Sequence, residues 1–277
     1  LSGPLNGDTL QGRIAVGGNF HDGYLENRIG ADLNDSRAWG ARAQLLWSPT
    51  STFRGYFKLQ VSNNGDDAAG GYSHQPAGLN ADGLGEAVDG PDLFGYQEPD
   101  DDPHTGSIDY VGFFDRKAYE ALAELTWELG NLTLTSVTHR YEHDKDYAED
   151  VDASPNGVFI YRTQHDLEQF SQEVRLSATG EKLDWTLGAY YLDIDSDAGS
   201  DVDLLFLPGL IRDERVDTTE SLALFGQFEY EFAPRWKALL GLRGTRDTKR
   251  IDGRQLYSGF FTDVLGIPPV IPIDGST

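Results

Sequence analysis

Three residues in a two-residue repeat, His139, Tyr141 and His143, are of the types that could do chemistry. An imidazole can hold a proton, contact a ligand or bind a borderline metal ion. On a strand the three share one face and stand near acids. The two histidines are nevertheless two pleats apart, too far for one tight site without a further residue. The plain reading is therefore a polar strand face.

A second candidate is the acidic stretch 193–203, where Asp193, Asp195, Asp197, Asp201 and Asp203 crowd together. A helix-loop-helix calcium loop wants Gly at its sixth place and Glu at its twelfth; here those places hold Ala198 and Leu204. The stretch reads instead as a strand end running into an acidic loop. Pairs of carboxylates are everywhere among 46 acids, so no pair is diagnostic. There is no phosphate-binding Gly-rich loop, no H-E-x-x-H, no G-x-S-x-G elbow and no G-x-G-x-x-G following a strand. The sequence assigns no catalytic, cofactor-binding or metal-ligating residue, and the expectation is that the protein is not an enzyme.

The 277 residues carry a formal charge of −24, which excludes the basic face that a nucleic-acid partner requires. No cysteine is present, so neither disulfides nor thiolate metal sites hold the fold. Methionine is absent too, and Leu1 opens no basic-then-apolar signal segment; the expectation is an internal piece of a longer precursor. Hydrophobic content is 39%, and the most apolar runs, 204–211 and 264–273, are short and broken by prolines. That excludes membrane-spanning helices but not membrane-spanning strands, which need only every second residue apolar.

The elements that must position these residues show most clearly in 220–244. Leu222, Leu224, Gly226, Phe228, Tyr230 and Phe232 alternate with Ser221, Gln227, Glu229 and Glu231. After Pro234-Arg235, Trp236, Ala238, Leu240 and Leu242 alternate with Lys237 and Arg243. This two-residue period marks strands with one apolar and one polar face, joined as a hairpin. It recurs over 9–25, 37–48, 53–62, 117–129, 167–178 and from 184 onward; 132–146 is a Thr-rich strand whose apolar face the pattern does not assign.

Short turns at Gly7, Pro49, Gly130, Gly180 and Pro234 alternate with long links, expected as loops over 63–114, 147–166, 199–217 and 252–277. Short turns at one rim and long loops at the other are the pattern of an outer-membrane barrel. Trp47, Trp127, Trp185 and Trp236 each lie within a few residues of a short turn, on the apolar parity, as an aromatic girdle would.

The segments Leu10-Gln-Gly-Arg-Ile-Ala-Val, Ala41-Arg-Ala-Gln-Leu-Leu-Trp-Ser-Pro-Thr, Leu132-Thr-Leu-Thr-Ser-Val-Thr, Phe170-Ser-Gln-Glu-Val-Arg-Leu-Ser and Asp184-Trp-Thr-Leu-Gly-Ala-Tyr-Tyr resemble barrel strands of TonB-dependent outer-membrane receptors. The resemblance implies an all-β, antiparallel, up-and-down transmembrane barrel segment, about nine strands of a barrel of about 22. It further implies TonB-energised uptake of a scarce ligand such as a ferric siderophore, cobalamin or a glycan. TonB would act through a plug that this chain does not contain, and the setting would be the outer membrane of a Gram-negative bacterium, with its lipid and lipopolysaccharide. The sequence departs from the family in lacking a plug, a TonB box and a terminal aromatic residue.

On this reading Arg13, Arg42, Arg54, Lys58, Glu124, Glu173, Arg175, Glu229 and Arg243 face a hydrated lumen. Leu224, Phe228, Leu240 and Leu242 face lipid. The long loops capture ligand, and the chain forms a curved open wall whose outermost strands do not pair. The rival readings are a passive porin and a soluble all-β binding module.

Overall fold

Wherever the two-residue period runs, the backbone forms one continuous antiparallel ladder. The computed structural model describes residues 1–66, 77–79, 85–87, 91–92, 94–100, 102–205 and 207–276. Its strands are β1 (Ser2–Asn6), β2 (Leu10–His21), β3 (Glu26–Asn27), β4 (Ser36–Thr50), β5 (Phe53–Asp66), β6 (Ala77–Leu79), β7 (Gly85–Ala87) and β8 (Thr105–Gly106). They continue with β9 (Phe113–Leu129), β10 (Leu132–Asp150), β11 (Phe159–Ala178), β12 (Leu183–Leu204), β13 (Leu210–Ala233), β14 (Trp236–Tyr257) and β15 (Val270–Ser276); a single helical turn, α1, covers Phe260–Asp263.

Eleven of these strands make one sheet in the order β1-β2-β4-β5-β9-β10-β11-β12-β13-β14-β15, so each strand of this sheet pairs with the next one of the sheet along the chain. Among the described residues no ladder joins β1 to β15, and the sheet is open, as expected. No helix is long and apolar enough to cross a membrane, which says nothing of strands.

Register fixes the two faces, because residues directly opposite across a ladder share a side. The row Trp127–Leu134–Leu176–Leu187–Gly226–Leu242 runs from β9 to β14 on one side. The outer parity of β10 is thereby set as Leu132, Leu134, Ser136 and Thr138, opposite Leu129, Trp127, Leu125 and Ala123. Its polar members satisfy one another: the Thr138 hydroxyl donates to Gln172 Oε1 at 2.6 Å, and Gln172 Nε2 donates to Ser136 Oγ at 2.9 Å.

The apolar side is uncovered. Leu224 is 66% exposed, Leu240 59% and Leu242 71%, and among the described residues no layer packs above them. All four girdle tryptophans fall at the short-turn rim. Trp47 precedes the turn after β4 and Trp127 the turn after β9, while Trp185 and Trp236 open β12 and β14. Phe53 links the first two edge-on, with ring centroids 5.5 Å from Trp47 and 6.4 Å from Trp127.

The structure corrects the loop bounds. β10 runs to Asp150 and β11 starts at Phe159, so only 151–158 of the stretch 147–166 is irregular. Likewise β12 reaches Leu204 and β13 begins at Leu210, which makes most of 199–217 strand and turns the acidic stretch 193–203 into a ladder. Within 252–277 lie the end of β14, the helical turn and β15; the 63–114 link is bounded by β5 and β9 at Asp66 and Phe113. Part of that last link, with its acids, falls outside the described residues. The physical cause is common to all of them. Above the apolar zone both faces of the sheet are polar, so the hydrophobic period vanishes although the backbone pairing continues.

Candidate functional site

The polar face of the sheet is the site-bearing surface, and the ladder sets its geometry. Arg13, Gln44, Lys58 and Leu122 occupy one register row; Glu124, Val137, Glu173 and Tyr190 occupy another. Arg42, Arg54, Arg175, Glu229 and Arg243 have the same parity, so all nine residues expected on the lumenal side do share one face.

Many are tied to neighbours. Lys58 Nζ donates to Glu120 Oε1 at 2.6 Å, and His139 Nε2 lies 3.0 Å from the same oxygen, so one carboxylate bridges three strands. Arg42 donates to Gln60 Oε1 at 2.7 Å, Arg175 pairs with Glu173 at 3.0 Å, and Lys237 pairs with Glu229. Nearer the short turns, the Arg243 guanidinium stacks 5.7 Å from the Phe225 ring and 5.8 Å from Tyr190. Phe225 lies flat over Gly188, where a Cβ would come within 2.3 Å of the ring. A side chain at 188 would displace that ring.

The histidines of β10 part company. His139 belongs to the Lys58–Glu120 bridge, whereas His143 meets a residue of the stretch 147–166, expected as a loop and found in β11. His143 Nε2 stands 3.1 Å from His165 Nδ1 of β11, and His165 Nε2 stands 2.8 Å from Ser196 Oγ of β12. Tyr141 packs edge-on to His143 at 5.7 Å, and Asp217 of β13, opposite Ser196, pairs with Arg215 at 2.7 Å. Two buried atoms here have no hydrogen-bond partner, His143 Nδ1 and Asp217 Oδ1. The sequence held no signal for the pair, because finding it requires the β10–β11 register, which sets Lys145 opposite His165. Among the described residues no group of three or more His, Cys, Asp or Glu side chains is placed to hold a metal ion.

At the long-loop rim, segments from three links fold together. β3 and β8 pair in parallel, and Asn27 clasps Ile108 twice: its Nδ2 donates to the Ile108 carbonyl and its Oδ1 accepts from the Ile108 N–H, both at 3.1 Å. Leu33, Ile108 and Ala153 form a small buried core with Leu25 and Val111 against it. Arg28 reaches Glu98, Asp100 at 2.7 Å and Thr105 at 2.6 Å. The hydrogen bond from the Asp102 backbone, with Thr105 and Arg28, holds the Asp100 carboxyl below the usual carboxylate range.

No protein-family model matches the sequence. Among solved structures, the ferric yersiniabactin uptake receptor FyuA from Yersinia pestis superposes with a TM-score of 0.70 at 16% identity, over 100% of this chain and 39% of that one. The fold is that of a TonB-dependent receptor barrel. The ferric citrate transporter FecA in its unliganded form gives 0.57 at 11% identity, over 100% of this chain and 36% of that one. This barrel wall therefore spans well under half the length of the receptors it resembles. In a receptor barrel the apolar face with its tryptophan rim is the outer surface, and the polar face carrying the Lys58–Glu120–His139 bridge and the His143–His165 pair is the inner one.

Proposed function

We propose that the chain is part of the barrel domain of a TonB-dependent outer-membrane receptor that takes up a scarce small ligand. The observation that carries the reading is the coincidence of three independent features on one sheet. Its ladder superposes along its whole length on FyuA. Its outer face is an uncovered apolar band with tryptophans at the short-turn rim. Its other face carries a connected polar lining. A soluble sandwich would cover the first face with a second layer.

On this reading residues 1–277 are a stretch of barrel wall set in outer-membrane lipid and lipopolysaccharide. The lumenal charges contact a plug through which TonB acts, and the long-loop rim meets the ligand. FyuA and FecA are described as handling ferric yersiniabactin and ferric citrate, which favours a ferric chelate over cobalamin or a glycan. The test is uptake by Gram-negative cells carrying or lacking the gene, supplied with radiolabelled iron as chelates of different chemistry. The expected result is gene-dependent accumulation that stops when the proton-motive force is collapsed. Accumulation that persists after uncoupling indicates a passive pore instead, and extraction of the protein without detergent removes the membrane reading altogether.

A further inference from the structure

The two imidazoles that face each other across β10 and β11 have the geometry of a chelating pair. His143 and His165 are diagonal neighbours on one face, a relation that brings long side chains into contact across a ladder. Their facing nitrogens, His143 Nε2 and His165 Nδ1, are 3.1 Å apart. Two imidazole ligands at about 2.0–2.1 Å from one metal ion, subtending roughly 100° at it, leave their nitrogens about 3.1 Å apart. The pair thus already holds the bite of a single ion.

The neighbours set the protons. Where His165 Nε2–H donates to Ser196 Oγ, at 2.8 Å, its Nδ1 carries the lone pair and points at His143. In that tautomer, and without metal, His143 Nε2–H donates into the lone pair, and His143 Nδ1 is left buried with no partner. A metal ion entering between the rings displaces one proton, and the orphan Nδ1 is the atom that can receive it. His143 stays neutral and merely changes tautomer. Ligation then needs no net proton release, and Ser196 acts as the outer partner that orients a ligating imidazole.

We propose that His143 and His165 form a two-imidazole site for a borderline divalent transition-metal ion of the copper, nickel or zinc type, on the inner face of the sheet. The proposal does not rest on the uptake reading, since it needs only the ladder from β10 to β12. Two protein ligands leave the remaining coordination positions open, so the site suits an ion that brings other ligands with it. The surrounding charges are mixed. Lys145, Arg116 and Arg215 oppose a cation and Asp144 and Asp217 favour it, so the pair must supply the affinity through its geometry.

The experiment is a titration of the full-length protein in detergent with Cu²⁺, read by electron paramagnetic resonance. The expected wild-type result is a saturable site with superhyperfine splitting from two imidazole nitrogens. His143→Asn and His165→Asn, which keep a polar side chain in the ladder, each remove the two-nitrogen signal. Ser196→Ala leaves the signal but weakens binding by about tenfold or more. His139→Ala leaves it unchanged, because that ring belongs to the Glu120 bridge. A wild-type spectrum with one imidazole nitrogen or none overturns the proposal. So does a two-nitrogen signal that survives in the His143→Asn/His165→Asn double variant.

Discussion

The half of the sheet near the short turns and the half near the long loops share one backbone ladder, yet they are stabilised in opposite ways. In β12 the outer face reads Trp185, Leu187, Ala189 and Tyr191, then changes to Asp193, Asp195 and Asp197 within the same strand. In β13 the same change comes between Leu222 and Glu220. Below the change the outward side chains are largely apolar and exposed, Leu224 and Leu242 among them. Above it both faces of the ladder are polar, and cohesion comes from cross-strand ion pairs such as Asp201 with Arg212 at 2.6 Å, and from the folded links at the rim. Hydrogen bonds run through both halves. Only the polarity of the outward side chains differs.

If that division holds, the most sensitive position in the watery half is Leu33, which is fully buried in the rim core. Leu33→Ala should destabilise the folded links by about 2–5 kcal/mol, seen as faster amide exchange at Leu25, Ile108 and Val111 without change in the lower strands. Uniform loss of protection across the sheet would show instead that the halves unfold together.

Next in size is the lipid-facing test. Leu240→Arg places a charge on the apolar face and should cost about 2–4 kcal/mol near the midplane, whereas Leu239→Arg, on the polar parity, should be tolerated. Folding titrations into lipid vesicles measure both, and equal penalties would mean that the faces are misassigned.

The same division explains what the sequence disclosed. The lower half was legible because an apolar face opposite a polar one imposes a two-residue hydrophobic period, visible in Trp236, Ala238, Leu240 and Leu242. The upper half was not, because a strand wet on both faces has no such period: 193–203 looked like an acidic loop and is a paired strand. Residue types alone singled out His143, but its partner His165 lay in that unreadable zone, so the pair became visible only with the register. The parity of 132–146 was hidden for a third reason. Ser136 and Thr138 occupy the apolar face and break its pattern, and they are tolerated because Gln172 satisfies both.

Within the lower rim, two tight turns sharpen the comparison by differing in one residue type. Gly130 and Arg235 both have φ of 71°, yet only the first is glycine. A Cβ at Gly130 would meet nothing within 4 Å, so the cost of Gly130→Ala is purely backbone, about 1–2 kcal/mol. Arg235→Gly should recover part of the same strain and raise stability by less than that, since glycine also gains freedom in the unfolded chain. Thermal melting in micelles should show shifts of opposite sign, and a loss in both would mean that Arg235 makes a contact outweighing its strain.

The smallest expected effect concerns an acidic row on the same parity, beyond the apolar band. Asp144, Asp166 and Asp197 stand directly opposite one another across β10, β11 and β12, and Asp252 and Asp274 continue the row beyond Val216. Like charges directly opposite in a ladder oppose pairing by about 0.2–1 kcal/mol. Water and salt can screen that repulsion in the upper half, but lipid could not, so the row is tolerable only above the apolar band. Asp197→Asn should therefore stabilise the upper strands at low ionic strength and have almost no effect once the Debye length falls to about 3 Å in 1 M salt. Amide exchange in residues 193–203 at the two salt concentrations separates the cases. A stabilisation that persists in high salt would point to a local hydrogen-bonding gain rather than relieved repulsion, and the assignment of this half to open water would lose its electrostatic support.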